Sequence, residues 1–318
     1  MSASLPAARP GDPTPGGRPL LSLAAYLVAV FLGGALLAPW LYLGVQSLAS
    51  SVPALSGVAE MPFGRYVNRA LLIVALLGLP LFIRGAGIRR WSDVGVRRPV
   101  GWRRLGVGFA LGFVSLAVVC SLALLAGGRA LRTDRTAAEF AAEFVGALLT
   151  AAVVGVIEEL LFRGAIYGGL RRAMPWGAAL LASSAIYGIV HFLTRPVSPE
   201  SVGWASGLHA LPTMLAGAAD VRTLVPAFLS LTLAGVVLGL AYERTGDLWA
   251  SIGIHAGWIV WLKFYGLLTK SAPGGDSWFW GTRKLIDGWM AFAALVIVLA
   301  IVIATVRVRP ADAPRPEN

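Results

Sequence analysis

Residues 141–172 read AAEFVGALLTAAVVGVIEELLFRGAIYGGLRR. An apolar run, AAEFVGALLTAAVVG, passes without a break into two adjacent glutamates, Glu158 and Glu159, and the segment closes on Arg171 and Arg172. A helix that crosses a bilayer needs about 20 predominantly apolar residues, and the segment 138–162 around this run meets that need. An ionisable side chain at membrane depth costs about 2.5–3.5 kcal/mol even on the lenient insertion scale. The stretch therefore raises two questions together: whether the chain is a membrane protein, and what two carboxylates do at the end of a span.

Composition answers the first. The chain has 318 residues, of which 57% are hydrophobic and 14% charged. A soluble chain carries about 25% charged residues. Mean hydropathy is +0.74. Apolar segments at about 21–48, 68–83, 105–126, 138–162, 176–194, 223–242, 247–268 and 288–306 predict an all-α, polytopic membrane protein with about eight transmembrane helices. The first segment is too long for the core of a signal peptide and reads as an uncleaved span. Residues 1–20, rich in Pro and Gly, read as a disordered tail. Residues 21–104 then form an N-terminal transmembrane hairpin with a basic loop, 105–270 the helical core, and 271–318 the last span with a short tail. Amphipathic or re-entrant pieces are expected around 49–67 and 196–222.

The net charge is +11, carried by 24 arginines and three lysines. That bias, with abundant Ala and Gly, points to a GC-rich bacterial genome. The arginines lie between apolar segments, where they set orientation in the bilayer, and no nucleic-acid partner is expected. The loop 84–104, RGAGIRRWSDVGVRRPVGWRR, holds seven arginines and one acid, Asp93. It reads as cytoplasmic, which puts both termini and Arg171, Arg172, Arg244, Arg307 and Arg309 on the same side of a bacterial inner membrane. Arg129, Arg132, Arg135, Arg283 and Lys284 fall on the other side, so the bias is partial. Cys120 is the only cysteine, which excludes an intrachain disulfide and reads as an inert buried thiol.

The second question turns on ionisable groups inside the spans. Adjacent helical residues point about 100° apart, so Glu158 and Glu159 cannot share a role. Glu159 and Arg163 are spaced i,i+4 and can pair as a brace; Glu158 has no such partner. Two of the three histidines, His191 and His255, fall in predicted spans; His209 reads as a loop residue. A carboxylate and two imidazoles can activate a water as base, proton shuttle and oxyanion donor, or can hold Zn²⁺ as a His/His/Glu set formed by Glu158, His191 and His255. Tyr187 and Ser184 share a helical face with His191, and Ser251 stands one turn before His255. These groups either orient the imidazoles or only pack helices. Other intramembrane chemistries lack their parts. There is no HExxH, and Asp247 has no second intramembrane Asp. Ser206, in a loop, is no convincing nucleophile. No internal repeat suggests a transporter.

These motifs resemble the CPBP family, which comprises type II CAAX prenyl endopeptidases and bacterial relatives linked to bacteriocin self-immunity and abortive infection. EELLFRG resembles its EExxxR motif. YGIVH resembles its FxxxH, with Tyr187 in place of Phe. SIGIHAGW resembles its last motif, and WSDVGVRRPVGWRRLGVGFALG its pre-domain segment, so the resemblance spans roughly 90–270. It implies an intramembrane endopeptidase acting on membrane-associated protein or peptide substrates. Glu158 would be the base, aided by His191; His255 would stabilise the oxyanion; Glu159, Arg163 and Tyr187 would support them. A Zn²⁺-assisted and a metal-free glutamate mechanism both remain open. One departure stands out. The family has Asn four residues after the last His, a donor to the oxyanion, and this chain has Ile259; its asparagines are Asn68 and Asn318. Trp258 or a backbone N–H is then the expected substitute. The alternative is a catalytically weak or inactive member acting as a membrane scaffold or immunity protein.

Overall fold

In the computed structural model, residues 18–193, 196–214 and 221–306 are described. The expected N-terminal tail up to residue 17 and the C-terminal tail with Arg307 and Arg309 lie outside them, as do residues 215–220 of the expected re-entrant piece. Residues 18–20 of the expected tail belong to the first helix, because the apolar run that follows carries the helical backbone back to Arg18.

Among the described residues, twelve α-helices run in chain order. They are α1 (Arg18–Ala49), α2 (Ser56–Ala59), α3 (Phe63–Gly85), α4 (Trp102–Leu125), α5 (Ala137–Glu159), α6 (Gly168–Leu170), α7 (Trp176–Val190), α8 (Ser206–Thr213), α9 (Val221–Thr245), α10 (Trp249–Leu268), α11 (Ser277–Trp280) and α12 (Trp289–Thr305). Each of the eight expected spans corresponds to a helix. Among the described residues, five stretches are long and apolar enough to cross a membrane: α1, α3, α4, the continuous Ala137–Leu170 and Leu224–Thr245. α7 and α12 are apolar but shorter. The protein is a helical membrane protein, and its outer surface agrees. Leu77, Leu125 and Leu149 are 73%, 84% and 64% exposed, which a water-facing surface would not tolerate in such numbers.

The opening stretch forms one rod. Thr136 caps α5, its hydroxyl accepting from the Glu139 amide while the Glu139 carboxylate accepts from the Thr136 amide. After Glu159 the helix does not end at 162. It passes through a π-helical segment, Leu160–Tyr167, into α6. π-helical turns recur at functional sites, and this one carries Arg163. Gly164 leaves the room that Val94 of the basic loop fills; a Cβ there would lie 2.9 Å from the Val94 carbonyl oxygen.

The arginine-rich loops meet at one end of the bundle. The Gly95 carbonyl accepts from the Leu248 amide at 3.0 Å, just before α10. Asp247 pairs with Arg104 and accepts from the Trp249 amide at the start of α10. Glu243 takes Arg171 at 3.0 Å and the Tyr167 hydroxyl at 2.6 Å. At the other end the chain departs from an all-helical expectation. β1 (Arg129–Leu131) and β2 (Thr269–Ser271) pair antiparallel with Ala130 opposite Lys270. Arg129 is buried there, donating to the Thr269 carbonyl and the Ser271 hydroxyl and lying 4.9 Å from the Tyr265 ring centre.

α10 is buried between α4 and α5. Its contact with α4 depends on glycines in small-xxx-small spacing, Gly108 and Gly112 on α4 against Gly253 and Gly257 on α10. A Cβ at Gly108 would lie 2.5 Å from the Ala250 carbonyl, and one at Gly257 2.5 Å from the Phe113 amide. Gly257→Val must therefore force the helices apart, an overpacking of about 1–3 kcal/mol. It should lower the unfolding temperature in detergent, while Gly106→Ala, with nothing within 4 Å of its new methyl, should not. Equal stability of the two variants would show that this contact is not close-packed.

Candidate active site

Three helices bring the polar residues together. Glu158 and Glu159 come from the end of α5, Tyr187 from α7, His191 from the residue that follows α7, and His255 from α10. His191 was expected inside a span over 176–194. The helix stops at Val190, and His191 caps it. It is held there by its own ring, whose Nδ1 lies 2.7 Å from the Tyr187 carbonyl oxygen. A carbonyl only accepts, so the proton is on Nδ1 and Nε2 offers a lone pair. Measured along the helices, His255 lies about 9 Å from the start of α10 and His191 about 22 Å from the start of α7, at 1.5 Å per residue.

The two glutamates separate as their angular spacing requires. Glu159 is fully buried at 0% exposure. Its Oε1 accepts from Arg163 Nη1 at 2.8 Å and lies 2.8 Å from His255 Nδ1. The brace expected from the i,i+4 spacing is present, but Glu159 does a second thing that the spacing could not show. As the partner of Arg163 it accepts a hydrogen bond from His255 Nδ1, which fixes the ring and turns Nε2 inward. Arg163 is itself buried and lies 4.6 Å over the Tyr187 ring. The hydroxyl of Tyr187 reaches His255 Nε2 at 3.2 Å.

Glu158 faces the other way, with its side chain 25% exposed. Its Oε2 is buried, has no hydrogen-bond partner, and lies 3.7 Å from both His191 Nε2 and His255 Nε2. These separations are too long for direct hydrogen bonds. They suit one small proton donor bridging the carboxylate and the imidazoles.

The small hydroxyls do not orient the histidines. Ser184 donates to the Leu180 carbonyl and Ser251 to the Leu248 carbonyl, each within its own helix. Ser206 and His209, read as loop residues, lie on α8 because the turn from Gly203 closes onto the Ser206 hydroxyl and starts a helix. α8 rests on α1, where Gly207 meets the Ala35 carbonyl. Trp258, an expected oxyanion donor, gives its indole N–H to Ser115 on α4 at 3.1 Å. Ile259 packs in an apolar cluster with Ala147, Ala151 and Val260.

Tyr187 has taken one of the positions around His255 that a metal would need. A catalytic zinc requires three protein ligands, and a hydroxyl donating to His255 Nε2 occupies that nitrogen's lone pair. Among the described residues no group of three or more His, Cys, Asp or Glu side chains is arranged to hold a metal ion.

Two apolar cavities flank the last turn of α7. One, of 320 Å³, lies beside Ile189, Phe192 and Phe228. The other, of 170 Å³, lies beside Tyr26, Phe162 and Val190. Leu193 borders both.

No curated protein and no solved structure gives a significant match to the chain. A family model does, over residues 140–261, the stretch that holds Glu158, Glu159, Arg163, Tyr187, His191 and His255. That model describes Rce1-like type II CAAX prenyl endopeptidases, and the matched segment is somewhat shorter than the 90–270 expected from the motifs.

Proposed function

We propose that the protein is an intramembrane endopeptidase of the glutamate type, cleaving membrane-associated protein or peptide substrates near the cytoplasmic face of a bacterial inner membrane. One observation carries this reading. The buried Glu158 Oε2 has no partner of its own and is faced by two imidazole nitrogens at 3.7 Å.

A water bridging Glu158 and His191 gives one proton to the carboxylate and directs the other to His191 Nε2. The oxygen then adds to a peptide carbonyl brought beside it. General-base assistance of this kind contributes about 10²–10⁴ in rate. His255 Nδ1 donates to the Glu159 carboxylate at 2.8 Å, so the ring must carry a second proton, on Nε2, to donate to the carbonyl oxygen as charge develops there. The arginine-rich end, Arg84 to Arg104 with Arg171, Arg172 and Arg244, supports the cytoplasmic placement and both termini inside. No step needs a metal.

The test uses the full chain in lipid nanodiscs. The probes are two quenched-fluorescence peptides ending in Cys-aliphatic-aliphatic-Met, one prenylated and one not. Hydrolysis of at least one is expected, undiminished by 1,10-phenanthroline or EDTA. Loss on chelation with recovery on adding Zn²⁺ would replace the metal-free reading with a metal-assisted one. No hydrolysis of either peptide would favour an inactive member acting as a scaffold or immunity protein, for which Ile259 in its apolar cluster is the specific support.

A further inference from the structure

The reading above leaves the oxyanion with one partner, His255. The other groups near it are committed elsewhere. The Trp258 indole N–H is held by Ser115 at 3.1 Å, and the His191 Nδ1 proton by the Tyr187 carbonyl at 2.7 Å. Ile259 is an apolar side chain in an apolar cluster. One hydroxyl remains at the centre. Tyr187 Oη lies 3.2 Å from His255 Nε2, on a ring that is 3% exposed. That ring is fixed by Arg163, 4.6 Å over its face, and by Phe162, edge-on at 4.9 Å between centres.

We propose that the Tyr187 hydroxyl is a catalytic hydrogen-bond donor, meeting the scissile carbonyl oxygen beside His255 as that oxygen becomes an oxyanion; this rests on the endopeptidase reading. Water gives a proton to Glu158, and its oxygen bonds to the carbonyl carbon. The C=O π pair moves to oxygen. Tyr187 donates its O–H to that oxygen without transferring the proton. On collapse the C–N bond breaks, its pair goes to nitrogen, and nitrogen takes the proton held by Glu158. A hydroxyl needs only to rotate about its C–O bond to leave His255 for the stronger, charged acceptor. The contact exists only when the charge does, so it acts on kcat and not on ground-state binding. Phe in the family motif has no such hydroxyl, and this chain has no Asn near His255. The two departures meet in one site.

Tyr187→Phe keeps the ring, its stacking and the fold. With the two peptides above, kcat should fall about 10²–10³-fold, the usual effect of removing one such donor, with KM and unfolding temperature near those of the parent. A second variant carries 3-fluorotyrosine at position 187, where the phenol is more acidic and the packing is kept. The alkaline limb of its kcat profile should move to lower pH, because only the protonated phenol can donate. The charged and titratable groups around the ring, Glu158, Glu159, Arg163, His191 and His255, are the same in both. An unchanged kcat in Tyr187→Phe, or a rise in KM alone, would overturn the proposal. If Tyr187→Phe does not fold, an unmoved alkaline limb in the fluorinated protein overturns it instead. A parent that cleaves neither peptide removes the endopeptidase reading and this proposal with it; an active parent indifferent to Tyr187→Phe removes this proposal alone.

Discussion

Glu158→Gln should lower kcat about 10²–10⁴-fold, the range a general base supplies, and leave the protein folded and inserted. The substitution keeps size and shape but removes the basic oxygen that takes water's proton. Stability should not suffer, because Glu158 Oε2 has no hydrogen-bond partner to lose. The new amide can even donate to His191 Nε2 or His255 Nε2, which face this position at 3.7 Å. An unfolding temperature equal to or above that of the parent, with activity gone, is thus the expected pair of results. Full hydrolysis by the Gln variant would remove Glu158 from the mechanism.

That contrast between two adjacent glutamates was partly legible in the sequence. Angular spacing separated Glu158 from Glu159, and the i,i+4 rule paired Glu159 with Arg163 at the 2.8 Å the structure shows. Spacing along one helix carries no information about a residue 96 positions away, however. The bond between Glu159 and His255 therefore appears only when α5 and α10 are side by side. The same blindness applies to Trp258. Its place one residue before Ile259 made it a candidate donor, and only the position of Ser115 on α4 shows that its N–H is used.

The eight helical runs were readable because a span is defined by length and apolarity, both properties of the sequence. Their ends were less so. Hydropathy does not register that a histidine bonds back to a carbonyl, so α7 was expected past His191 although it stops at Val190. Nor does hydropathy mark the π-helical segment or the short β1–β2 pair, which needs Arg129 and Ser271 to meet across 142 residues. One signal was present and unused. Gly108, Gly112, Gly253 and Gly257 stand in GxxxG spacing on the two helices that prove to touch most closely, and that spacing is a recognised mark of close helix contact.

Glu159→Gln should be the opposite of Glu158→Gln, costing stability first. Glu159 and Arg163 are 0% and 3% exposed, and breaking a buried pair by removing one charge costs about 3–5 kcal/mol, because the other is left uncompensated. In Glu159→Gln the stranded group is a guanidinium, and Arg163 Nη2 already has no hydrogen-bond partner. In Arg163→Ala the stranded group is a carboxylate that still has His255 Nδ1 at 2.8 Å, and that ring can take a second proton to meet it. The guanidinium has no such recourse, so Glu159→Gln should be the more destabilising of the two. The double variant should lose less than the sum of the singles, since the second change removes the charge that the first left exposed to the interior. Unfolding temperatures in one detergent give all three comparisons. Parent-like stability in both single variants would end the case for a brace. Additive losses would show that Glu159 and Arg163 act separately, and the role of Glu159 would then reduce to its hold on His255.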